Sequence, residues 1–191
     1  MAHAAHINHP ETILRALDRH LTRPARLILY GRAAIVLGFS DSPAECATTM
    51  DVDAILPRGE LSAIEENEDF WDALQKTNSE LEPSGLYITH LFVDDQLILT
   101  SDWIDRLQPI DLKGLQHLQL LRPDTGDLIL TKMMRVDPQD RQDIHFLISQ
   151  MAVPDLEPYL TRANVPEIAE IQQAFEQNQH WLTSSSRAKH P

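Results

Sequence analysis

Helical and strand-like spacings of apolar residues alternate along the first half of the chain. Residues 10–22 carry apolar side chains at the spacing of one helix face, which predicts an amphipathic helix. Residues 26–30 form a short apolar run that is typical of a buried strand, and residues 33–37 predict a second helix. Partial alternation over residues 49–56 predicts a second strand, and helical spacing returns over residues 61–77.

The second half of the chain predicts further strands and a helical end. Asp94 and Asp95 separate two strand-like stretches, which predicts a hairpin turn. Asp137 stands just before a proline at the start of a periodic segment, where helix-capping residues are found, and Asn8 occupies a similar position before the first helix. The remaining predicted elements are strands over residues 86–93, 96–100 and 115–121 and helices over residues 127–135, 137–151 and 166–182.

Together these elements predict an α/β fold of the α+β type, in which helices pack on a mixed β-sheet. We expect a flexible leader over residues 1–9 and an α/β core over residues 10–122. We further expect a helical C-terminal part over residues 123–183, packed on the core, and a flexible tail over residues 184–191.

Composition narrows the class of protein. Of the 191 residues, 42% are hydrophobic and 24% are charged, so the chain can bury a core. Its longest apolar run, residues 33–37, is too short to cross a membrane. The single cysteine, Cys46, excludes an internal disulfide and predicts a cytoplasmic location. A net charge of −13 repels phosphate backbones, which disfavours constitutive binding to DNA or other nucleic acids.

Asp51 and Asp53 are the leading candidates for chemistry. Residues two apart on a strand point to the same face, so the two carboxylates project together while Val52 points to the other side. Two carboxylates held close need a cation between them, and Mg²⁺ is the divalent ion that prefers oxygen ligands. The preceding strand ends at Gly31, which leaves room for a ligand to approach the backbone before a helix N-terminus that can bind phosphate.

Two blocks of sequence resemble a known family. Residues 27–38 followed by residues 48–53 resemble the first motif of the AbiEii-type nucleotidyltransferase-like proteins, within the polymerase-β-like nucleotidyltransferase superfamily. Residues 127–135 and 137–144 resemble the downstream pattern of the same family, a helix with a lysine and then an Asp-x-x-Asp that opens the next helix. The resemblance extends over about residues 26–151.

The resemblance implies a nucleotidyltransferase-like core and assigns roles to particular residues. By that resemblance Asp51 and Asp53 bind Mg²⁺ or Mn²⁺, and together with Lys132 they form the catalytic set. A lysine amine is a compact charge suited to the phosphates of a nucleoside triphosphate. The residues that the resemblance assigns to the nucleotide are Gly31, Arg32, Thr49, Lys132 and Asp143.

The chain departs from the family pattern at three points. Nineteen residues separate Gly31 from Asp51, which is longer than the usual spacing in active polymerase-β-like enzymes. Arg32 stands where the family has a second small residue, and a long cation there either contacts a phosphate or obstructs the triphosphate. The strand over residues 86–93, where a third carboxylate is expected, contains no acid. His90 takes that position, either as a ligand for Mn²⁺ or Zn²⁺ or as a sheet-surface residue bonded to a neighbour.

Structural roles compete with the assignments in the second block. Lys132 can lie along the helix surface with its charge in solvent, and Asp140 has a sufficient role in complementing the N-terminus of its helix. Asp143 and Arg135 can form an ion pair between helices that never touches substrate.

Two functions of different class follow. The first is a metal-dependent nucleotidyltransferase that modifies an RNA end, a protein or a small molecule, with a role as a toxin beside a cognate antitoxin or regulator implied by the family. The second is a non-catalytic nucleotidyltransferase-like module that binds a nucleotide or a partner, which Arg32 and the absence of a third acid favour.

Overall fold

The computed structural model describes residues 7–187 of the chain. The expected leader and tail lie outside these residues at positions 1–6 and 188–191. The helices are α1 His9–His20, α2 Gly31–Gly38, α3 Leu61–Glu65, α4 Glu68–Leu81, α5 Thr125–Lys132, α6 Pro138–Ser149, α7 Glu157–Arg162 and α8 Ala169–Arg187. The strands are β1 Ala25–Tyr30, β2 Asp51–Leu56, β3 Tyr87–Val93, β4 Leu99–Thr100, β5 Gln108–Ile110, β6 Leu118–Arg122 and β7 Ala163–Asn164.

The chain forms two compact units. The first contains the chain up to Val93 together with Leu107–Pro123, and the second contains Asp94–Arg106 together with the chain from Asp124 onward. None of the described helices is long and apolar enough to cross a membrane.

A five-stranded mixed sheet forms the centre of the first unit, and it confirms the predicted α+β fold. Its strand order is β3-β2-β1-β6-β5. The central strand β1 pairs antiparallel with β2 and parallel with β6, while β3 pairs parallel with β2 at one edge. The apolar face of α1 is fully buried at Ile13, Leu14 and Leu17, and α1 packs against α4 and β2.

The predicted helix caps are confirmed. The Asn8 side chain accepts a hydrogen bond of 3.1 Å from the Glu11 backbone N–H at the start of α1. The Asp137 side chain accepts one of 2.7 Å from the Gln139 N–H at the start of α6. Each cap satisfies a backbone donor that the helix itself leaves unbonded, which is why the local sequence predicts these two starts.

The predicted hairpin around Asp94 and Asp95 is wrong. Asp94–Gln96 form a 3-10 turn, and β4 pairs with β7 of the second unit instead of with β3. Leu97, Ile98 and Leu99 are all 2% exposed or less, so this stretch is buried on every side. A hairpin strand with one solvated face alternates instead between buried and exposed positions.

A buried network of charges explains why residues 94–106 belong to the second unit. The Asp127 carboxylate, which is fully buried, accepts hydrogen bonds from the Thr100 N–H at 2.7 Å and from the Arg106 guanidinium at 2.6 Å. Arg106 also donates to Asp124 at 2.8 Å, and the Tyr159 hydroxyl donates to the same carboxylate at 2.8 Å. The sequence patterns predicted none of these contacts.

Helix boundaries also differ from prediction at several places, and α5 ends at Lys132 rather than at residue 135. The helix predicted over residues 61–77 is broken between α3 and α4, where the Asn67 side chain accepts a 3.2 Å hydrogen bond from Phe70 N–H and starts the second helix. The helix α8 continues to Arg187, so residues 184–187 of the predicted tail are helical.

Candidate functional site

The turn from β1 into α2 places glycine beside the acidic pair. Gly31 has a φ of +66°, in the left-handed region that favours glycine. A Cβ at this position would lie 3.1 Å from Oδ2 of Asp53, closer than side chains normally tolerate. Conformation and space therefore both require glycine where the strand passes into α2.

Asp51 and Asp53 lie on the same face of β2, as their spacing predicts. Both are half-buried, whereas Val52 and Ala54 between and after them are fully buried on the opposite face. The Thr49 hydroxyl donates a 2.7 Å hydrogen bond to Oδ1 of Asp51 and so fixes the orientation of that carboxylate. Antiparallel pairing places Tyr30 of β1 directly opposite Asp53.

His90 of β3 joins the two carboxylates. Its Nδ1 lies 3.0 Å from Oδ1 of Asp53 and 3.0 Å from the Thr89 hydroxyl. The imidazole stacks on the Phe92 ring, with centroids 5.5 Å apart and planes inclined by 16°. His90 is 56% exposed, so one side of the cluster is open to solvent.

The three side chains offer the donor set of a divalent metal site. One ligand atom from each of Asp51, Asp53 and His90 lies within 4.8 Å of the other two. The 3.0 Å between the nitrogen of His90 and the oxygen of Asp53 is close to the ~3 Å that separates neighbouring ligands of an octahedral ion with bonds of about 2.1 Å. Two carboxylates and an imidazole therefore fit a divalent cation.

The remaining predicted site residues divide between the two units. Gly31 and Arg32 form the first turn of α2, where Arg32 is half-buried, and Thr49 lies just before β2. Within the first unit Thr49 bonds to Asp51, and Gly31 leaves the space that the Asp53 carboxylate occupies. Lys132 and Asp143 belong to the second unit.

Lys132 is enclosed by carboxylates. It is 8% exposed, and its Nζ donates to Oδ1 of Asp140 at 3.1 Å and to Oδ2 of Asp143 at 2.7 Å. Arg135 pairs with Asp140 at 3.0 Å. These ion pairs join α5 to α6, so Lys132 and Asp143 have a structural role whether or not they also contact a nucleotide.

One part of the site has no signal in the linear sequence. The register between β2 and β3 shifts at the acidic pair: Val52 pairs with Ile88, but Ala54 pairs with Leu91. Thr89 and His90 of β3 therefore both lie opposite Asp53, in a β-bulge. Bulges of this kind re-aim a side chain next to a functional site.

Fold and site together define the class of protein. A mixed sheet, a glycine turn into a helix and two carboxylates on the adjacent strand are the features of a nucleotidyltransferase-like domain. The model of the family described as "Nucleotidyltransferase of unknown function (DUF6036)" matches residues 10–188. The match extends over nearly the whole chain, so the protein belongs to this nucleotidyltransferase family. No curated protein and no solved structure matches the chain.

Proposed function

We propose that the protein is a metal-dependent nucleotidyltransferase. It transfers a nucleotidyl group from a nucleoside triphosphate to an acceptor hydroxyl and releases pyrophosphate. The observation that carries this proposal is the cluster of Asp51, Asp53 and His90 beside the Gly31 turn. The chain also belongs to a nucleotidyltransferase family.

The carboxylates of Asp51 and Asp53 would hold Mg²⁺ or Mn²⁺. Such an ion, when bound, neutralises the triphosphate and stabilises the charge that develops during phosphoryl-type transfer. Thr49 keeps Asp51 oriented for this role. The Thr49 hydroxyl is neutral, so its contribution is to hold the Asp51 carboxylate in a fixed orientation for the metal.

The start of α2 supplies the binding surface for phosphate. The backbone N–H groups of its first turn form a site for anions, and Gly31 lets a phosphate approach the backbone closely. Arg32 adds a positive charge in the same turn. The phosphate role of Lys132 rests on the sequence resemblance, beside the ion pairs described above.

Transfer of label tests the catalytic proposal. The protein is incubated with each of the four α-³²P-labelled ribonucleoside triphosphates, with Mg²⁺ or Mn²⁺, and with cell extract as a source of acceptors. We expect labelled RNA, protein or small-molecule product that is lost in Asp51→Ala and Asp53→Ala. Asp72→Ala is the matched control, because Asp72 is an exposed acid on α4. Label transfer that survives both site substitutions, or no transfer at all, would refute the proposal.

A non-catalytic module is the second candidate. It is favoured by Arg32 at the phosphate turn and by the absence of an acid from β3, Tyr87–Val93. Calorimetry separates the two candidates: nucleoside triphosphate binding that needs Asp51 and Asp53 but yields no product supports the module. Binding with turnover supports the enzyme.

The AbiEii-type resemblance supports a narrower proposal, a toxin paired with an antitoxin. Induced expression of the wild-type chain would then arrest growth, and Asp51→Ala/Asp53→Ala would not. Co-expression of a neighbouring reading frame that restores growth would identify the regulator. Unimpaired growth with the wild-type chain at equal protein levels speaks against a toxin.

A further inference from the structure

The metal ligand set differs from an all-carboxylate set at one position. The strand beside the acidic pair, β3, has no Asp or Glu among Tyr87–Val93, and it brings an imidazole to the cluster instead. The nature of the third ligand decides which ion a site prefers, because carboxylates suit Mg²⁺ whereas imidazole suits first-row transition metals.

The bulge in β3 is what brings His90 into the cluster. With regular pairing after Val52–Ile88, Thr89 would lie opposite Asp53 and His90 opposite Ala54. Ala54 is fully buried on the face away from Asp53, so a regular strand would turn His90 away from the carboxylates. The extra residue places His90 on the open face, with its Nδ1 3.0 Å from Oδ1 of Asp53.

The orientation of the imidazole is held from two sides. The Phe92 ring stacks on it, and the bulge fixes the position of its backbone opposite Asp53. A ring held in this way loses little freedom when it binds an ion, which favours ligation over a loosely placed histidine. The exposed side of the ring leaves room for the nucleotide and for water in the rest of a metal shell.

We propose that His90 is the third protein ligand of the metal and that it makes the site selective for Mn²⁺ over Mg²⁺. This proposal rests on the function proposed above. Mn²⁺ satisfies the whole donor set, because it accepts carboxylate oxygens as Mg²⁺ does and, as a first-row transition ion, also accepts imidazole nitrogen. Mg²⁺ shares only the preference for oxygen.

Electron paramagnetic resonance of the full chain with MnCl₂ tests the ligand directly. The free-ion signal gives the Kd for Mn²⁺, and competition with MgCl₂ gives the Kd for Mg²⁺. Pulsed spectra report a directly coordinated ¹⁴N. We expect ¹⁴N coupling in the wild type, its loss in His90→Gln, and at least about a tenfold weaker Kd for Mn²⁺ in that variant. In His90→Asp we expect the ratio of the Mg²⁺ Kd to the Mn²⁺ Kd to fall at least tenfold.

Two controls separate this site from others in a chain with nine histidines. His20→Gln removes a second histidine–carboxylate pair, His20 with Glu80 at 2.8 Å, and should leave Mn²⁺ binding unchanged. Asp51→Asn/Asp53→Asn measures the binding that remains elsewhere. Circular dichroism confirms that each variant is folded, and His90→Asp keeps a ligand in place if His90→Gln does not fold.

The outcomes distinguish failure of this proposal from failure of the proposed function. Binding that needs Asp51 and Asp53, but with no ¹⁴N coupling and an unchanged metal ratio in His90→Asp, would overturn the role of His90 alone. His90 would then only orient Asp53 through a hydrogen bond. Binding that is the same in the wild type and in Asp51→Asn/Asp53→Asn would overturn the metal site and the proposed function with it.

Discussion

Gly31 and Asp53 constrain each other. The chain must turn from β1 into α2 at a positive φ, and the space where a side chain would begin is occupied by a carboxylate oxygen of Asp53. The glycine therefore contributes to the shape of the site as well as to the turn. A glycine at this turn followed by an Asp-x-Asp strand is therefore a more specific signal of the site than the glycine or the acidic pair alone.

Gly31→Ala tests this constraint. We expect a loss of about 1–2 kcal/mol in the free energy of unfolding from the left-handed conformation, together with weaker metal binding because Asp53 must move. Chemical denaturation and Mn²⁺ titration measure the two effects. Gly59→Ala is the control, because its φ lies outside the left-handed region and a Cβ there meets nothing within 4 Å. Equal stability and equal metal affinity in both variants would contradict the constraint.

Lys132 is a buried cation that neutralises two buried carboxylates. The cost of burying charge is offset only when every charge has a partner, so removing the lysine leaves Asp140 and Asp143 short of positive charge. The sequence resemblance assigned this lysine to phosphate. Its contacts within the second unit add a structural role that the resemblance does not include.

Lys132→Met should therefore destabilise the protein by about 3–5 kcal/mol. The double variant Lys132→Met/Asp143→Asn should recover part of that loss, because it also removes the negative charge that lies 2.7 Å from the Lys132 amine in the wild type. Urea denaturation measures both. Lys76→Met, at an exposed position on α4, should change stability by less than about 0.5 kcal/mol. A stable Lys132→Met protein that fails to bind triphosphate would point to a phosphate role alone.

Two helices with local start signals were predicted correctly, and a strand that depends on a distant partner was not. Asn8 and Asp137 cap their helices through neighbours two or three residues away, so the sequence pattern was sufficient. The strand β4 has only two residues, and its partner β7 lies more than sixty positions along the chain. Nothing near Leu99 in sequence identifies such a partner.

Asp18 shows how one side chain joins two elements. Its carboxylate accepts hydrogen bonds from the backbone N–H groups of Gln116, His117 and Leu118 at 2.8–3.1 Å, which ties α1 to the start of β6. Burial raises the pKa of this carboxyl, but the three backbone bonds outweigh burial and the net pKa is lowered. The ionised form is therefore the one that the fold stabilises.

Asp18→Asn should lower the free energy of unfolding by about 1.5–3 kcal/mol at neutral pH. The pKa of Asp18 is lower in the folded state than its ordinary value of 3.8. The contribution of Asp18 to the free energy of unfolding is therefore fully present above pH 3.8 and is lost as the pH falls through the folded-state pKa. The difference between wild type and variant should therefore shrink below pH 3.8. Urea titrations at pH 7 and pH 3 measure it, with Asp72→Asn as the exposed control. A difference that is unchanged at pH 3 would contradict the role of the ionised carboxylate.

Acidic side chains dominate the response of the whole molecule to pH. Hydrogen bonds from Arg106 lower the pKa of Asp102 to about 2, a hydrogen bond from Thr22 lowers that of Asp69, and one from His20 lowers that of Glu80. Asp127 acts in the opposite direction, because burial raises its pKa. The carboxyls whose pKa is lowered outnumber Asp127, whose pKa is raised.

We therefore expect the melting temperature to fall as the pH drops from about 4 to about 2. In that window carboxyls with lowered folded-state pKa values become protonated and lose their native partners. Differential scanning calorimetry between pH 7 and pH 2 measures the trend. In Asp102→Asn the melting temperature should fall less steeply near pH 2, where Asp102 of the wild type becomes protonated. A melting temperature that stays constant or rises between pH 4 and pH 2 would contradict this prediction, because the raised pKa of Asp127 affects stability only above the ordinary value of 3.8.

Local spacing was enough to locate the starts of α1 and α6, the strands β1, β2 and β3, and the acidic pair, because caps, periodicity and the two-residue repeat of a strand act over only a few residues. The α+β class follows from those features and is confirmed. The nucleotidyltransferase family was implied by the resemblance of two sequence blocks, and it is confirmed as well.

Other features depend on contacts between residues far apart in sequence. The bulge that turns His90 toward Asp53, the pairing of β4 with β7 and the enclosure of Lys132 all need a partner from another element. Pairing register and burial are set by packing, and no single segment contains the information that decides them.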